Sequence, residues 1–161
     1  MRKKLSEDLI LFFSNLYPKK FPPKGLPHRA FLGIGGNIGP VKRRFDKLLA
    51  TLAHHPKISV LATAPILQNP PFGFTRQPDF FNSVIAVETS YSPKELLRFC
   101  LWLEKRHKRR RPFKNAPRTL DIDILSYDDI VMDTKELQIP HPHWHERESV
   151  IIPLCLIEGN R

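Results

Sequence analysis

Asp121 and Asp123 stand two residues apart in the apolar run T-L-D-I-D-I-L-S-Y (119–127). On a strand, that spacing puts both carboxylates on one face, roughly 6.5–7 Å apart at Cα. Thr119 shares that face, while Leu120, Ile122 and Ile124 point the other way into apolar company. Neighbouring carboxylates repel, and a divalent cation relieves the repulsion. Carboxylate oxygens suit Mg²⁺, which binds through one or two of them and completes its shell with waters and substrate phosphates. A solvent-facing strand edge with two ordinary aspartates explains the same motif, and the spacing alone does not choose.

Directly upstream, Lys105, Arg106, Lys108, Arg109, Arg110, Arg111, Lys114 and Arg118 crowd one segment. Pro112 and Pro117 make most of it a loop. Arginines clamp phosphate oxygens bidentately, and a loop can close them over a bound nucleotide. A solvated, RNA-attracting segment has the same composition. Glu104, on the edge of an apolar helix face, reads as a clamp for one of these arginines.

Other residues suit a flat ligand. Asn82 interrupts F-F-N-S-V-I-A-V-E-T (80–89), either as a satisfied core amide or as a reader of a heterocycle's edge. N-P-P-F-G (69–73) is a stiff loop ending in an aromatic, suited to walling a ring. G-G-N (35–37) is neither a P-loop nor a Rossmann fingerprint, so its glycines mark a tight turn or a close ligand approach. His141, His143 and His145 alternate, but no cysteine or fourth ligand has zinc spacing. A histidine helping to hold phosphate, with Arg147 nearby, is the better reading.

The elements that must position these residues follow from periodicity. Leu5, Leu9, Phe12, Phe13 and Leu16 fall at helical spacing, and four prolines in residues 18–28 then predict an extended linker. The division expected is an N-terminal helix and Pro-rich linker over 1–28, followed by the main domain over 29–161. A-F-L-G-I-G-G-N-I-G-P (30–40) predicts a short buried strand running into a glycine-rich turn, and Phe45, Leu48, Leu49 and Leu52 a helix over 41–53. Ile58–Ala64 and 80–89 predict strands. Ser92-Pro93-Lys94-Glu95 predicts a capping box opening a second helix. Residues 119–127 are a further strand, with a short hairpin arm and a final apolar segment beyond. The order β-α-β-β-α-β with a tail is the ferredoxin-like α+β pattern, an antiparallel sheet with helices on one face.

Composition sets outer bounds. A chain of 161 residues with 41% apolar and 26% charged residues suits one soluble domain, and a net charge of +10 asks for an anionic partner. Cys100 and Cys155 each sit in an apolar run, which predicts free thiols in a reducing compartment and hence the cytoplasm. No stretch approaches the length of a membrane span.

Taken in order, these pieces resemble the 6-hydroxymethyl-7,8-dihydropterin pyrophosphokinase family of folate biosynthesis. The strongest element is A-P-R-T-L-D-I-D-I-L (116–125). It is supported by G-G-N (35–37), N-P-P-F-G (69–73), Q-P-D-F-F-N (77–82), E-K-R-H-K-R-R-R (104–111), I-P-H-P (139–142) and E-R-E-S-V-I-I-P-L (146–154). The resemblance implies transfer of pyrophosphate from ATP to the hydroxymethyl oxygen of the pterin, with attack at the β-phosphorus and release of AMP. It implies two Mg²⁺ ions on Asp121 and Asp123, and a catalytic role for Arg109 and Arg111 beside those aspartates. The ATP side would hold Glu104, Arg111, Arg118, Ile124, His141 and Arg147. The pterin side would hold Asn37, Asn69, Pro70, Phe72, Phe80, Asn82 and Asp121. No general base is assigned, and a cytoplasmic monomer without membrane or specific nucleic-acid partners is expected.

Three positions depart from the family pattern. Ser149 stands where an aromatic usually stacks on the pterin, so Phe72, Phe74 or Trp144 must supply that wall. Asn115 replaces a tryptophan, and Lys108 stands where glycine is usual. The competing reading is a basic ferredoxin-like RNA-binding module without ATP turnover. Against it, the stacking-aromatic RNP1 pattern is absent, and two aspartates on a sheet strand repel a phosphate backbone.

Overall fold

A computed structural model describes residues 1–159. Its organising element is the longest strand, Phe80–Thr89, whose alternating side chains serve two different faces. In chain order the elements are β1 (Arg2–Lys4), β2 (Ile10–Phe12), β3 (Lys19–Lys20), β4 (His28–Gly36), α1 (Val41–Ala53), β5 (Ile58–Thr63) and β6 (Ile66–Asn69). There follow β7 (Phe80–Thr89), α2 (Pro93–Arg106), β8 (Asp121–Tyr127), β9 (Met132–Asp133), β10 (Gln138–Ile139), a 3₁₀ turn at Trp144–Glu146 and α3 (Glu148–Gly159). The protein is thus a mixed α and β fold on an antiparallel sheet.

β4 lies between β7 and β8, pairing antiparallel with both. The far edge of β7 is shared along its length, first by β5 and then by β6. β9 and β10 form a separate two-stranded ribbon. The expected helices at 41–53 and from Pro93 are present. Ser92 closes a capping box: its hydroxyl accepts from the Glu95 backbone N–H, and Glu95 accepts from the Ser92 N–H.

The main core fills one face of the sheet. Phe45, Leu48 and Leu52 of α1 and Leu96, Cys100 and Leu103 of α2 meet Leu32, Ile34, Ile85, Val87, Ile122 and Ile124. The opposite face has its own smaller cluster, in which Val84, Ala64 and Leu125 meet Ile157 of α3, with Trp144, Val150 and Leu154 against them. Helices on a single face were expected; α3 instead covers the second. The run from Val150 is apolar enough to bury, and β7 offers it Val84 and Ala86, the residues that alternate away from the main core.

The N-terminal expectation needs a larger correction. Residues 5–17 form no helix, and β1 and β2 make a hairpin whose second strand pairs with β6. A short apolar run satisfies both helix and strand templates, and the open edge of β6 offers backbone partners that a lone helix lacks. The proline-rich stretch is docked rather than free. The Phe21 N–H donates to Leu61 O at 2.9 Å, and the Lys24 N–H donates to the buried Glu88 carboxylate. Tyr17 is 0% exposed, and its hydroxyl donates to Phe45 O at 2.8 Å. Tyr17→Ala is expected to lower the free energy of unfolding by about 3–5 kcal/mol. Urea denaturation checks this, and an unchanged midpoint would place the segment outside the core.

Candidate active site

β8 sets the floor of the site. Its alternation buries Ile122 and Ile124 in the main core and turns Asp121 and Asp123 to the other face. Across the sheet, Gly35 of β4 lies opposite Asp121 on one side and Asn82 of β7 on the other. A Cβ at Gly35 would come within 2.3 Å of Asn82 Oδ1, so a bare backbone here keeps the Asn82 amide in place.

The two carboxylates meet different surroundings, Asp121 paired with arginines and Asp123 buried beside like charge. Burial, then the nearby charges of Asp121 and Glu104, push the Asp123 carboxyl well above the usual carboxylate range, against Arg147 and Arg109. Asp121 Oδ1 accepts from Arg109 at 2.7 Å, and Asp121 Oδ2 accepts from Arg118 at 3.4 Å. Arg109 also donates to Leu120 O at 3.1 Å. Among the described residues no group of three or more His, Cys, Asp or Glu could hold a metal ion. Two carboxylates without a third protein ligand fit Mg²⁺, whose remaining positions go to waters and phosphates.

Glu104 is where the clamp expectation holds. Its side chain is 4% exposed; Oε1 accepts from Arg111 at 2.7 Å, and Oε2 accepts from the Ile122 N–H at 2.8 Å. Arg109 lies 3.4 Å from Oε2. With both oxygens engaged and no surface in either cavity described below, Glu104 supports the site from beneath. The side chain of Ile124 lies in the core, leaving its backbone for any ligand.

Two cavities adjoin above this floor. The first, of about 440 Å³, is lined by Asn69, Pro70, Pro71, Phe72, Phe80, Asn82 and Ser149, among others. The second, of about 470 Å³, is lined by Arg109, Arg110, Arg111, Asp123 and His141, among others. Asn115, Arg118, Asp121 and Arg147 line both. One cavity is therefore aromatic and amide-rich, the other basic, and Asp121 stands at their border.

In the first cavity, Asn82 Nδ2 donates to Asn69 Oδ1 at 2.6 Å, and Asn69 Nδ2 donates to Pro70 O at 2.9 Å. The Arg118 guanidinium sits over the Phe80 ring at 4.9 Å, and that of Arg147 over Phe72 at 5.5 Å. Phe72 is 70% exposed and lines the cavity, whereas Phe74 packs edge-on to Phe113 and Trp144 joins the α3 cluster. Of the three aromatics considered to replace the wall at Ser149, Phe72 is the one on the cavity.

Asn37 is held by partners within the protein. It is buried, its Nδ2 donates to Gln77 Oε1 and Pro78 O, and its Oδ1 accepts from the Arg118 N–H. Its polar atoms tie two loops together, and it lines neither cavity. His141 lies in the basic cavity, where burial, Arg147 and His143 lower its pKa against a weaker pull from Asp121. Gln77 was missed in sequence. Its Nε2 donates to Phe74 O and to Asn115 O, a bridging role that a lone loop glutamine does not announce.

The basic loop leaves α2 through Lys108, whose φ of 64° is left-handed. The Arg109 N–H then donates to Glu104 O at 3.0 Å, ending the helix as glycine commonly does. Asn115 (φ 58°) turns the loop back, and asparagine tolerates that conformation better than most residues.

A carboxylate floor under an arginine-rich cavity, with an amide-and-aromatic cavity beside it, defines a transferase that moves a phosphate-containing group onto a flat acceptor. The chain matches the 7,8-dihydro-6-hydroxymethylpterin-pyrophosphokinase model over residues 31–159, and it belongs to that family. It is 37% identical over 147 residues to 2-amino-4-hydroxy-6-hydroxymethyldihydropteridine pyrophosphokinase of Helicobacter pylori, covering 90% of this chain and 88% of that one. With the Campylobacter jejuni protein of the same name it shares 41% identity over 134 residues, 83% and 85% of the two chains. The RNA-binding alternative gains no support from these relatives.

Two outcomes test this geometry. Glu104→Ala is expected to cost about 3 kcal/mol of stability, because it removes one of the two counter-charges of Arg109 and leaves the buried Ile122 N–H without its acceptor; denaturant unfolding measures it. Lys108→Gly is expected to raise stability by about 0.5–1 kcal/mol by relieving the left-handed residue, and a lowered melting temperature would contradict the strain.

Proposed function

We propose that the basic cavity receives the ATP phosphates and the amide-lined cavity the pterin, so that the two substrates meet over Asp121. The reaction is the family's: pyrophosphate passes from ATP to 6-hydroxymethyl-7,8-dihydropterin, releasing AMP, in folate synthesis. The hydroxymethyl oxygen bonds to the β-phosphorus, the bond from that phosphorus to the α,β-bridging oxygen breaks, and the hydroxyl proton is lost to solvent. The shared border at Asp121 carries this division. A group leaving one cavity for the other must cross it.

Such a transfer needs positioning and charge neutralisation more than covalent help. Arg111, Arg118 and Arg147, which line the basic cavity, would grip phosphate oxygens, with Arg109 held next to Asp121. His141, whose pKa is lowered by burial and by Arg147, offers a hydrogen bond on the same side. Asn82 and Asn69, locked to each other, present amide edges to the pterin, and Phe72 and Phe80 supply apolar surface for its ring. Asp121 and Asp123 would hold Mg²⁺, two ions in the fullest form of this reading, and bound Mg²⁺ would supply charge neutralisation at the phosphates. The ferredoxin-like arrangement is supported by the order β8-β4-β7-β5 and its antiparallel pairings. A cytoplasmic setting accords with two free cysteines, Cys100 and Cys155, and with the absence among the described residues of a helix long and apolar enough to cross a membrane.

Asp121→Ala and Asp123→Ala are each expected to cut AMP formation by at least about 10²-fold; Asp123→Ala leaves the melting temperature near that of the parent, whereas Asp121→Ala lowers it by removing the counter-charge 2.7 Å from Arg109. The measurement is AMP release from ATP and 6-hydroxymethyl-7,8-dihydropterin with varied Mg²⁺. Near-normal turnover in both variants would sink the assignment.

A further inference from the structure

The family match begins at residue 31, yet the residues before it build part of the frame of the amide-lined cavity. β6 has four residues and runs directly into the Asn69–Phe72 wall. On one side β7 holds it, with Leu67 opposite Asn82 and Asn69 opposite Phe80. On the other side β2 holds it, with Ile10 opposite Gln68, Leu11 opposite Leu67 and Phe12 opposite Ile66. Without β2, β6 would be a short sheet edge, and such edges fray at low free-energy cost.

Side chains reinforce the pairing. Leu11 and Leu67 are both buried. The Phe12 ring meets Phe81 edge-on at 5.9 Å, and the Lys42 ammonium lies 3.2 Å from the Phe12 centroid and 5.2 Å from that of Phe81. Phe81 sits between Phe80 and Asn82, both on the cavity. Leu11 therefore reaches Asn82 through one strand, and Phe12 reaches the same stretch of β7 through one ring.

We propose that the N-terminal hairpin is a positioning element for the acceptor half of the site. Leu11 and Phe12 hold β6 in register, so that Asn69 and the loop to Phe72 stay fixed against Asn82. The proposal rests on reading the amide-lined cavity as the pterin half.

The test is made in the full chain by steady-state kinetics, with both Michaelis constants determined. Leu11→Ala combined with Phe12→Ala is expected to raise KM for 6-hydroxymethyl-7,8-dihydropterin about tenfold while KM for ATP stays within about twofold. Leu11→Ile with native Phe12 should keep the parental pterin KM. If the double variant is unfolded at the assay temperature, Leu11→Val should show the same selectivity at smaller size. Equal rises in both constants, a fall in kcat alone, or no change would overturn the proposal and reduce the hairpin to a general stabiliser. Asn82→Ala serves as the control. If it raises the pterin KM while the hairpin variants do not, the brace fails and the cavity assignment stands. If Asn82→Ala leaves the pterin KM unchanged, the cavity assignment fails and takes the brace with it.

Discussion

The carboxylate of Glu104 joins three parts of the molecule that the sequence keeps separate. It sits at the end of α2, accepts the Ile122 N–H of β8 through one oxygen and holds Arg111 of the basic loop through the other. Arg109, on the same loop, lies against it as well and carries the chain of contacts on to Asp121. A buried carboxylate is costly unless its lone pairs are filled, so each partner's position is constrained by the others. Removing it would leave Arg109 enclosed beside Asp121 without its second counter-charge.

The division of the sheet into two working faces follows from strand alternation alone. β8 alternates carboxylates with aliphatics, so Ile122 and Ile124 can complete the core under α2 only if Asp121 and Asp123 face the other way. That other face is covered by α3 only over part of its area, around Val84 and Leu125. The uncovered part lies at the end of the sheet where Asp121, Asn82 and Asn69 sit side by side. The site is thus the portion of a packed sheet face that α3 leaves open, and the loops around it form walls rather than a floor.

Much of this was legible in the chain. The D-x-D alternation gave the floor, the capping box at Ser92 gave the start of α2, and Glu104 read correctly as an arginine clamp. The misreadings share a cause, which is that local periodicity does not report tertiary partners. Leu9, Phe12 and Leu16 satisfy helical spacing, but an open edge at β6 turned their segment into strand. For Asn37 the family resemblance, rather than the residue pattern, implied a pterin-side amide, and its hydrogen-bond partners were not legible. Its three hydrogen bonds go to Gln77, Pro78 and Arg118, residues distant in sequence. Gln77 carried no signal because its role depends entirely on where Asn37 and Asn115 come to lie.

The basic run shows why composition could indicate an anionic ligand and still say little about individual residues. Arg109 and Arg111 are two apart, yet the side chain of the first is 9% exposed and that of the second 59%. In Arg109 the charge is committed to internal carboxylates, and its strength comes from exclusion of water. In Arg111 one nitrogen is fixed by Glu104 while the rest of the guanidinium faces the cavity, so it is pre-oriented but still available. Exposed charges without fixed partners contribute little individually to stability. They do add to the positive potential around the cavity mouth, which raises the local concentration of a polyanion. The net charge of +10 therefore divides into internal counter-ions, oriented contacts and a diffuse field, and burial rather than residue type decides which part each residue plays.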